Sequence, residues 1–179
     1  MFVSVLGEAD PDLRFQIYDV TQFEYPDDLD DCDGYLITGS RHSVYESNEW
    51  ITRLGEFVVE LNDAKKKLVG ICFGHQLVAH VLGGETAKST KGWGVGRHET
   101  ILSDPSRPQW SSEFGLLSSH QDQVHSLPDQ ARIIAQSDFC PIAGMAIGEH
   151  IMTLQGHPEF TKAYARDLLG VRRELLGET

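Results

Sequence analysis

KLVGICFGHQLVAHVLGG, residues 67–84, is the part of the sequence that predicts the fold, because it joins a strand-like run to a helical pattern. Its first six residues are typical of a buried strand, and the residues from Gly74 onward show helical spacing. Cys72 therefore lies at a strand-to-helix turn, where Gly70 and Gly74 permit a tight backbone path that exposes the side chain. A helix N-terminus also favours the thiolate, which is the nucleophilic form of cysteine.

The composition predicts one acidic, globular domain. The chain has 179 residues, of which 40% are apolar and 23% charged, and a formal net charge of -12. This charge argues against binding to nucleic acid or to an anionic membrane, and no segment approaches the ~20 apolar residues that span a bilayer. No secretory leader is visible. Cys32, Cys72 and Cys140 form neither a disulfide framework nor a zinc knuckle, so the expected location is the reducing cytoplasm.

Strand-like and helical patterns alternate along the first half of the chain. Residues 13–20 alternate apolar and polar side chains, which is typical of a strand. Residues 34–39 form an apolar run that ends at a glycine, as in a buried parallel strand followed by a functional loop. Residues 50–61 have the spacing of an amphipathic helix. Such alternation predicts a parallel sheet covered by helices.

The second half of the chain is dominated by strand-like patterns. Four strands are predicted, at residues 94–102, 131–137, 142–147 and 151–155, with a hairpin turn at residues 148–150 and a final amphipathic helix at residues 162–176. No repeat or linker marks a second domain. The prediction is therefore a single α/β domain over residues 1–179. It has three layers, with a mostly parallel central sheet, helices on both faces and added antiparallel strands.

The start of the chain departs from this alternation. Residues 2–6 could form a first strand, but only residues 7–12 separate them from the strand predicted at residues 13–20. A parallel crossover needs about a dozen residues, so these six are too few. The apolar side chains of residues 1–6 instead share a helical face, and Gly7 suits a helix C-cap. We therefore expect the chain to open with a helix and the sheet to lack its first strand.

A second chemical motif, QGHPEF at residues 155–160, follows an apolar strand. Pro158 biases His157 towards an extended conformation, in which residues two apart point the same way. The Glu159 carboxylate can then hold one ring nitrogen of His157 and leave the other to face a thiol. Cys72, His157 and Glu159 together form a candidate catalytic triad of nucleophile, base and orienting acid.

Taken together, these motifs resemble the class I glutamine amidotransferase family, whose members use such a triad. GICFGHQ at residues 70–76 is similar to the nucleophile motif of the family, and GHPEF at residues 156–160 to its His-x-Glu motif. LITGS at residues 36–40 resembles the oxyanion strand and loop, and SHQDQV at residues 119–124 resembles a segment that helps to seat glutamine. Stand-alone domains similar to the amidotransferase half of GMP synthase resemble the chain most, and plant γ-glutamyl peptidases share CFGHQ.

The resemblance implies a flavodoxin-like class I amidotransferase fold, and it leads us to expect a domain truncated at both ends. It also implies a mechanism in which Cys72 attacks the γ-carboxamide of glutamine while His157 takes the thiol proton. Ammonia then leaves, and water hydrolyses the γ-glutamyl thioester to glutamate. Backbone N–H groups of Gly39 and Phe73 are the expected oxyanion donors.

Four further residues are expected to contact the substrate: Gln76, Trp93, Ser119 and His120. No cofactor is expected. No metal site is predicted either, because the His-x-Glu pair of a zinc deaminase is accompanied by a Pro-Cys-x-x-Cys motif, and none follows Glu159.

Three functions remain open from the sequence. The first is a glutaminase that supplies ammonia to a synthetase, which would have to be a separate partner. The second is a self-sufficient γ-glutamyl peptidase or hydrolase that uses the same triad. The third is a non-enzymatic relic or regulatory binding module, because shortened ends could loosen the site. Each of the first two takes a small γ-glutamyl compound as substrate.

Overall fold

The computed structural model describes residues 1–104 and 107–177. Its helices are α1 (Phe2–Ala9), α2 (Glu49–Asp63), α3 (Phe73–Val81), α4 (Lys162–Val171) and α5 (Arg173–Leu176), with a 3₁₀ turn at Val20–Gln22. Its strands are β1 (Gly34–Ile37), β2 (Lys67–Ile71), β3 (Glu85–Lys88), β4 (Gly94–Asp104), β5 (Arg107–His120), β6 (Asp122–Ser126), β7 (Ala131–Gln136), β8 (Gly144–Ile147) and β9 (Ile151–Leu154).

The central sheet has the strand order β1-β2-β9-β8-β7-β4-β5, and β3 pairs with β6 in a separate ribbon. The strands β1, β2 and β9 are parallel to one another. From β9 to β5 every neighbouring pair is antiparallel. The predicted α/β fold with added antiparallel strands is confirmed, although the antiparallel part is larger than the sequence led us to expect.

The three parallel strands bring the chemically important segments to one edge of the sheet. β1 leads into Gly39, β2 into Cys72 and β9 into His157, each one to three residues after the last residue of its strand. The carboxyl ends of parallel strands share one edge, and in open α/β sheets ligands bind there. The fold therefore gathers three candidate site residues that lie far apart in the sequence.

The main hydrophobic core lies between the sheet and two helices. α3 packs on β1, β2 and β9, and α2 packs on α3. The most deeply buried side chains of this layer are Val58, Leu61, Leu68, Val78 and Met145, all at most 1% exposed. Apolar burial of this kind is the main stabilising contribution to the fold, at roughly 25 cal/mol per Å².

The opposite face of the sheet carries a groove of about 190 Å³. Val69, Met152 and Ala146 are cross-strand neighbours in its floor, and they alternate along their strands with residues that face the helices. Arg132 and the buried Asp104 form an ion pair at its side, with Nη2 and Oδ2 2.9 Å apart.

The N-terminal segment confirms one prediction and contradicts another. Residues 2–9 form α1 and pair with no strand, as expected from their helical spacing. Residues 13–20 were predicted as a strand, and this was wrong, because they join no ladder and Ile17 is 76% exposed. The alternating pattern is local, but a strand also needs a neighbour to satisfy its backbone groups. β1 pairs only with β2 in the described residues, and its other edge is not joined by this segment.

The remaining sequence predictions hold in position, with small shifts in boundaries. The helix predicted at residues 50–61 is α2, the helical pattern from Gly74 onward is α3, and the predicted final helix is divided between α4 and α5 at Arg172. The hairpin turn at residues 148–150 connects β8 to β9. Strands β3, β5 and β6 were not predicted, because their sequences are rich in Ser, Gln and charged residues.

Candidate active site

The turn from β2 to α3 places Cys72 in a strained backbone conformation. Its φ is 53° and its ψ is -100°, a region in which a non-glycine residue costs about 1–3 kcal/mol. The conformation is held because the Cys72 N–H donates to the carbonyl of Leu154 at 2.8 Å. This backbone hydrogen bond ties the turn to β9, the strand that leads to His157.

The two flanking glycines are required by close packing of the backbone. A Cβ on Gly70 would lie 2.7 Å from the carbonyl carbon and oxygen of Gly74. A Cβ on Gly74 would overlap the carbonyl oxygen of Ile37, the last residue of β1. Residues 70–74, which we call the elbow, therefore pack backbone against backbone, and a larger side chain has no room.

His157 and Glu159 form a buried pair, 6% and 4% exposed respectively. The His157 Nδ1–H donates to the Glu159 carboxylate across 2.7 Å, which leaves Nε2 for Cys72. Burial alone would lower the pKa of His157. Hydrogen bonds with Cys72 and Glu159, and the negative charges of both, outweigh burial and raise the pKa to about 9. The surroundings thus favour the protonated form of His157 beside the Glu159 carboxylate.

Neighbouring segments fix the ring of His157 from two sides. Its backbone N–H donates to the Leu117 carbonyl of β5 at 2.8 Å. Phe160 stacks on the imidazole with ring centroids 3.8 Å apart, and Tyr164 of α4 packs edge-on against Phe160. Phe160, which precedes α4, therefore covers one face of the candidate base, and Tyr164 in the first turn of α4 supports Phe160.

Gly39 lies against the same two side chains. A Cβ on Gly39 would be 2.9 Å from His157 Cε1 and 3.6 Å from Cys72 Cβ. Phe73 is the first residue of α3, where the backbone N–H has no intrahelical acceptor. The structure thus brings Gly39, Cys72, Phe73, His157 and Glu159 together.

Gln76 is placed one turn into α3, but its amide nitrogen points into the protein. The side-chain Nε2 donates to the Asp122 carbonyl at 2.8 Å and to Gln155 Oε1 at 3.1 Å. Gln76 is only 3% exposed. Both amide protons therefore serve internal hydrogen bonds, which leaves the side-chain oxygen as the group that could meet a substrate.

The other predicted substrate contacts lie around β4 and β5, and Arg172 binds two of them. Arg172 Nη1 donates to the Ser119 carbonyl at 2.9 Å and to its hydroxyl at 2.7 Å. Its guanidinium also lies over the Trp93 ring, 5.5 Å from the centroid. His120 is buried, and its Nδ1–H donates to the Asp122 carbonyl at 3.0 Å. Burial lowers the pKa of His120 to about 4, so the ring is neutral at pH 7.

The remaining buried thiol and imidazole beside the site have structural partners. His75 donates from Nε2 to the Ile142 carbonyl at 3.1 Å and contacts the Thr153 hydroxyl at 2.7 Å. Burial lowers the pKa of His75 to about 3 and raises that of the Cys140 thiol to about 12. Neither group is therefore suited to act as base or nucleophile at neutral pH.

Three residues of this region were not singled out from the sequence. Asp122, Gln155 and Arg172 each bond to a predicted site residue that is 46 or more positions away in the chain. Asp122 could have been found, since it lies inside the SHQDQV motif. Gln155 could have been found in the same way, since it begins the QGHPEF motif, whereas Arg172 offered no comparable signal.

Two kinds of feature are absent from the described part of the chain: a cluster of metal ligands and a membrane-spanning helix. Residues 1–104 and 107–177 contain no group of three His, Cys, Asp or Glu side chains arranged to hold a metal ion. None of their helices is both long and apolar enough to cross a bilayer.

Comparison with known proteins gives the class to which this fold and site belong. The sequence pattern described as glutamine amidotransferase class-I matches residues 7–168. Among solved structures, a glutamine amidotransferase from Methylobacillus flagellatus superposes with a TM-score of 0.85 at 22% identity, covering 97% of this chain and 70% of that one. The chain belongs to the glutamine amidotransferase class-I family.

Two relatives are similar to the chain over different shares of their own length. γ-Glutamyl peptidase 3 of Arabidopsis thaliana is 36% identical over 172 residues, which cover 90% of this chain and 68% of the relative. The glutamine-hydrolysing GMP synthase of Thermomicrobium roseum is 33% identical over 127 residues, which cover 70% of this chain and 23% of the synthase. The chain is thus similar both to peptidases that it matches over most of their length and to a small part of a synthase.

Proposed function

We propose that this protein hydrolyses the γ-carboxamide of glutamine through a γ-glutamyl thioester on Cys72. The observation that carries this proposal is the hydrogen-bonded contact of His157 with both Cys72 and Glu159, which raises the pKa of the imidazole to about 9. Glu159 holds Nδ1 of His157 and leaves Nε2 to face Cys72. His157 can therefore take the proton of the thiol as the sulfur attacks, which is the role of the base in such a pair.

The first half of the reaction forms the thioester and releases ammonia. The Cys72 sulfur attacks the carboxamide carbon, and the carbonyl electrons move to oxygen to give a tetrahedral oxyanion. His157 Nε2–H then donates its proton to the amide nitrogen. The C–N bond breaks, ammonia leaves, and the carbonyl re-forms as a γ-glutamyl thioester.

The second half of the reaction regenerates the enzyme. Water attacks the thioester carbon and gives a proton to the now neutral Nε2 of His157. The C–S bond breaks, glutamate leaves, and the proton on Nε2 returns to the Cys72 sulfur. Glu159 keeps its hydrogen bond to Nδ1 throughout, and so fixes the tautomer that both steps need.

The oxyanion of both steps needs hydrogen-bond donors that are already in place. We assign this role to the backbone N–H groups of Gly39 and Phe73, since Gly39 lies against Cys72 and His157 and Phe73 begins α3. The N-terminal end of α3 adds a positive partial charge. Removal of one such donor costs about 10²–10³ in kcat in comparable sites.

Stoichiometric labelling tests the proposed nucleophile. A glutamine analogue that carries an electrophile at the γ-position should add one label per chain, detected by mass spectrometry. The label should be lost in Cys72→Ser and in His157→Ala. Cys140→Ser is the matched control and should keep the label, because the Cys140 thiol is buried and its pKa is raised to about 12. Labelling that His157→Ala leaves unchanged would contradict the proposal and favour a relic or binding module.

A γ-glutamyl peptidase activity is the second candidate, and the similarity to γ-glutamyl peptidase 3 favours it. The chemistry is the same, except that the amine of a peptide replaces ammonia as leaving group. Turnover of glutamine should therefore be compared with turnover of γ-glutamyl dipeptides, with and without a synthetase. Glutaminase activity that rises only with a synthetase would identify an amidotransferase subunit. Turnover of γ-glutamyl peptides by the chain alone would identify a peptidase.

We place this activity in the cytoplasm. All three cysteines are free, and the proposed nucleophile must remain a reduced thiol, which a reducing compartment ensures.

A further inference from the structure

We propose that Asp122 is a positioning residue that holds the loop between β1 and α2 in the form that presents the Gly39 N–H to the oxyanion. This inference rests on the proposed function, because it concerns the oxyanion donor of that reaction. The loop comprises residues 38–48. Asp122 is the first residue of β6 and belongs to a different sheet, so its contacts with the loop join two separate parts of the fold.

The side chain of Asp122 binds the loop through both carboxylate oxygens. The Ser43 hydroxyl donates to Oδ2 at 2.5 Å, and the Tyr45 hydroxyl donates to Oδ1 at 3.0 Å. Asp122 is only 9% exposed. Hydrogen bonds to a charged acceptor contribute more than neutral ones, and the contribution grows where water is excluded. We call these two hydrogen bonds the Asp122 clasp.

The backbone of Asp122 binds the other side of the site. Its carbonyl accepts from Gln76 Nε2 at 2.8 Å and from His120 Nδ1 at 3.0 Å. Gln76 lies one turn after Cys72, and Gln155, which precedes Gly156-His157, accepts a second hydrogen bond from Gln76. One residue thus connects the loop that carries Gly39 with the helix that carries the nucleophile.

The chemistry of the clasp requires an acceptor with two free oxygens. Ser43 and Tyr45 each donate a hydroxyl proton, and an ionised carboxylate is the side chain that accepts both without a donor of its own. No Lys, Arg or His lies within ion-pair distance of Asp122 among residues 1–104 and 107–177. The buried carboxylate of Asp122 is therefore satisfied by these two hydroxyl groups, which links it directly to the loop.

The position of the loop matters most in the transition state. Ser43 is four residues after Gly39, and a small shift of the loop moves the Gly39 N–H relative to the carbonyl oxygen. The donor acts on charge that develops only when the tetrahedral intermediate forms. Loss of the clasp should therefore reduce kcat and leave KM nearly unchanged, since the backbone contacts of residue 122 with Gln76 and His120 remain.

The test uses a matched pair of variants that break the clasp from opposite ends. Asp122→Ala removes the acceptor, and the double variant Ser43→Ala/Tyr45→Phe removes both donors while residue 122 stays intact. Each should lower kcat for the better of glutamine and a γ-glutamyl dipeptide by about 10- to 100-fold, with KM within about threefold. Combining the two changes should cost no more than either alone. Asp122→Asn keeps one acceptor and should recover part of the loss.

Two further measurements separate a positioning role from a general structural one. Alkylation of Cys72 by iodoacetamide forms no oxyanion, so its rate should be the same in wild type and in both clasp variants. Tyr35→Phe removes a comparable hydroxyl bond, from Tyr35 to the Leu29 carbonyl at 3.0 Å, and should leave kcat unchanged. If the clasp variants slow alkylation as much as turnover, the site has collapsed and the proposal is wrong.

Hydrogen exchange makes the test independent of turnover. Amides of residues 39–46 should exchange at least about tenfold faster in Asp122→Ala than in wild type, while those of α3 stay protected. Unchanged exchange in the loop would overturn the clasp whatever the activity. A wild-type protein that turns over no γ-glutamyl compound, yet shows faster loop exchange in Asp122→Ala, would overturn the proposed function and leave the clasp in place.

Discussion

The elbow at residues 70–74 and the loop at residues 38–48 flank the same reactive side chain, but they are held in place by different means. The elbow is fixed by close contact of Gly70 with Gly74 and of Gly74 with β1. The loop is fixed by side chains: Asp122 accepts from Ser43 and Tyr45, and Val44 is buried in the core. One half of the site therefore depends on backbone packing and the other on hydrogen bonds.

Because of this difference, mutations in the two halves of the site should have different effects. A change in the elbow forces main-chain atoms of a strand and a helix apart, so it affects folding. A change in the loop removes hydrogen bonds to a carboxylate, each of which contributes about 1.5–3 kcal/mol, so the fold survives while a donor moves. Mutations in the elbow should therefore lower the stability of the fold, and mutations in the loop should lower kcat.

The largest effect is expected from Gly74→Ala. The added methyl would overlap the carbonyl oxygen of Ile37, which is main chain and has little freedom to move. Overpacking of this kind costs about 1–3 kcal/mol and sometimes more, and we expect a loss of at least about 3 kcal/mol in the free energy of unfolding. Urea denaturation followed by circular dichroism measures it.

Gly170→Ala is the matched control for this elbow variant. Gly170 is in α4, where an added Cβ would meet no atom within 4 Å and no unusual φ is needed. Alanine is favoured over glycine in a helix by about 1 kcal/mol, so this variant should be slightly more stable than wild type. If both variants were destabilised equally, the close backbone packing at Gly74 would not explain the loss of stability.

Gly39→Ala tests the loop and should give the next largest effect. Its Cβ would lie 2.9 Å from His157 Cε1, an atom of a side chain that can shift. We expect kcat to fall by about 10²–10³ because the imidazole and the oxyanion donor are displaced together. The loss in unfolding free energy should be smaller than for Gly74→Ala. A Gly39→Ala protein that is unstable but fully active when folded would reverse the comparison.

The pH dependence of stability should follow His157, which contacts both halves. Its pKa is raised to about 9 in the folded protein, against 6.5 for an ordinary histidine. The folded state therefore holds a proton that the unfolded chain releases, and the resulting stability is complete below pH 6.5 and lost as the pH rises to 9. Glu159→Gln lowers the pKa of His157 and should flatten this decline. Unfolding free energies at pH 6.5 and 9 provide the measurement, and equal slopes would contradict the assignment.

The smallest effect is expected from Glu46→Gln at the far end of the loop. Glu46 accepts from the Ser43 N–H at 2.8 Å and from His42 at 2.7 Å. The backbone hydrogen bond with Ser43, followed by that with His42, lowers the pKa of Glu46. Because the carboxylate is exposed and glutamine can also accept, kcat should fall by less than about threefold. If kcat fell as much as in Asp122→Ala, Glu46 rather than Asp122 would be the main support of the loop.

The elbow could be predicted from the sequence because its geometry is local. Gly70, Cys72 and Gly74 define a turn within five residues, and the apolar runs on either side define the strand and the helix. His157 and Glu159 were accessible for the same reason, since they are two residues apart in extended chain. The distance between the two motifs could not be predicted, because parallel pairing of β2 with β9 determines it.

The parts that escaped prediction depend on long-range contacts. In the Asp122 clasp, Ser43 and Tyr45 lie 79 and 77 residues before Asp122 in the sequence. Arg172 and Ser119, which are also hydrogen-bonded, are 53 residues apart. Residues 13–20 show the converse error. Their alternation is what a strand requires locally, yet no strand pairs with them in the described structure. A sequence pattern therefore indicates which secondary structure a segment is able to form, and contacts with the rest of the fold determine which one it forms.

The contact between Arg172 and Trp93 makes the intrinsic fluorescence of Trp93 a possible reporter on this region. Indole fluorescence responds to nearby charge, and the guanidinium lies 5.5 Å from the centre of the Trp93 ring. The same guanidinium bonds to Ser119 at the end of β5. We therefore expect Arg172→Ala to change the emission of Trp93, and the same measurement in Trp93→Phe isolates the signal of this tryptophan.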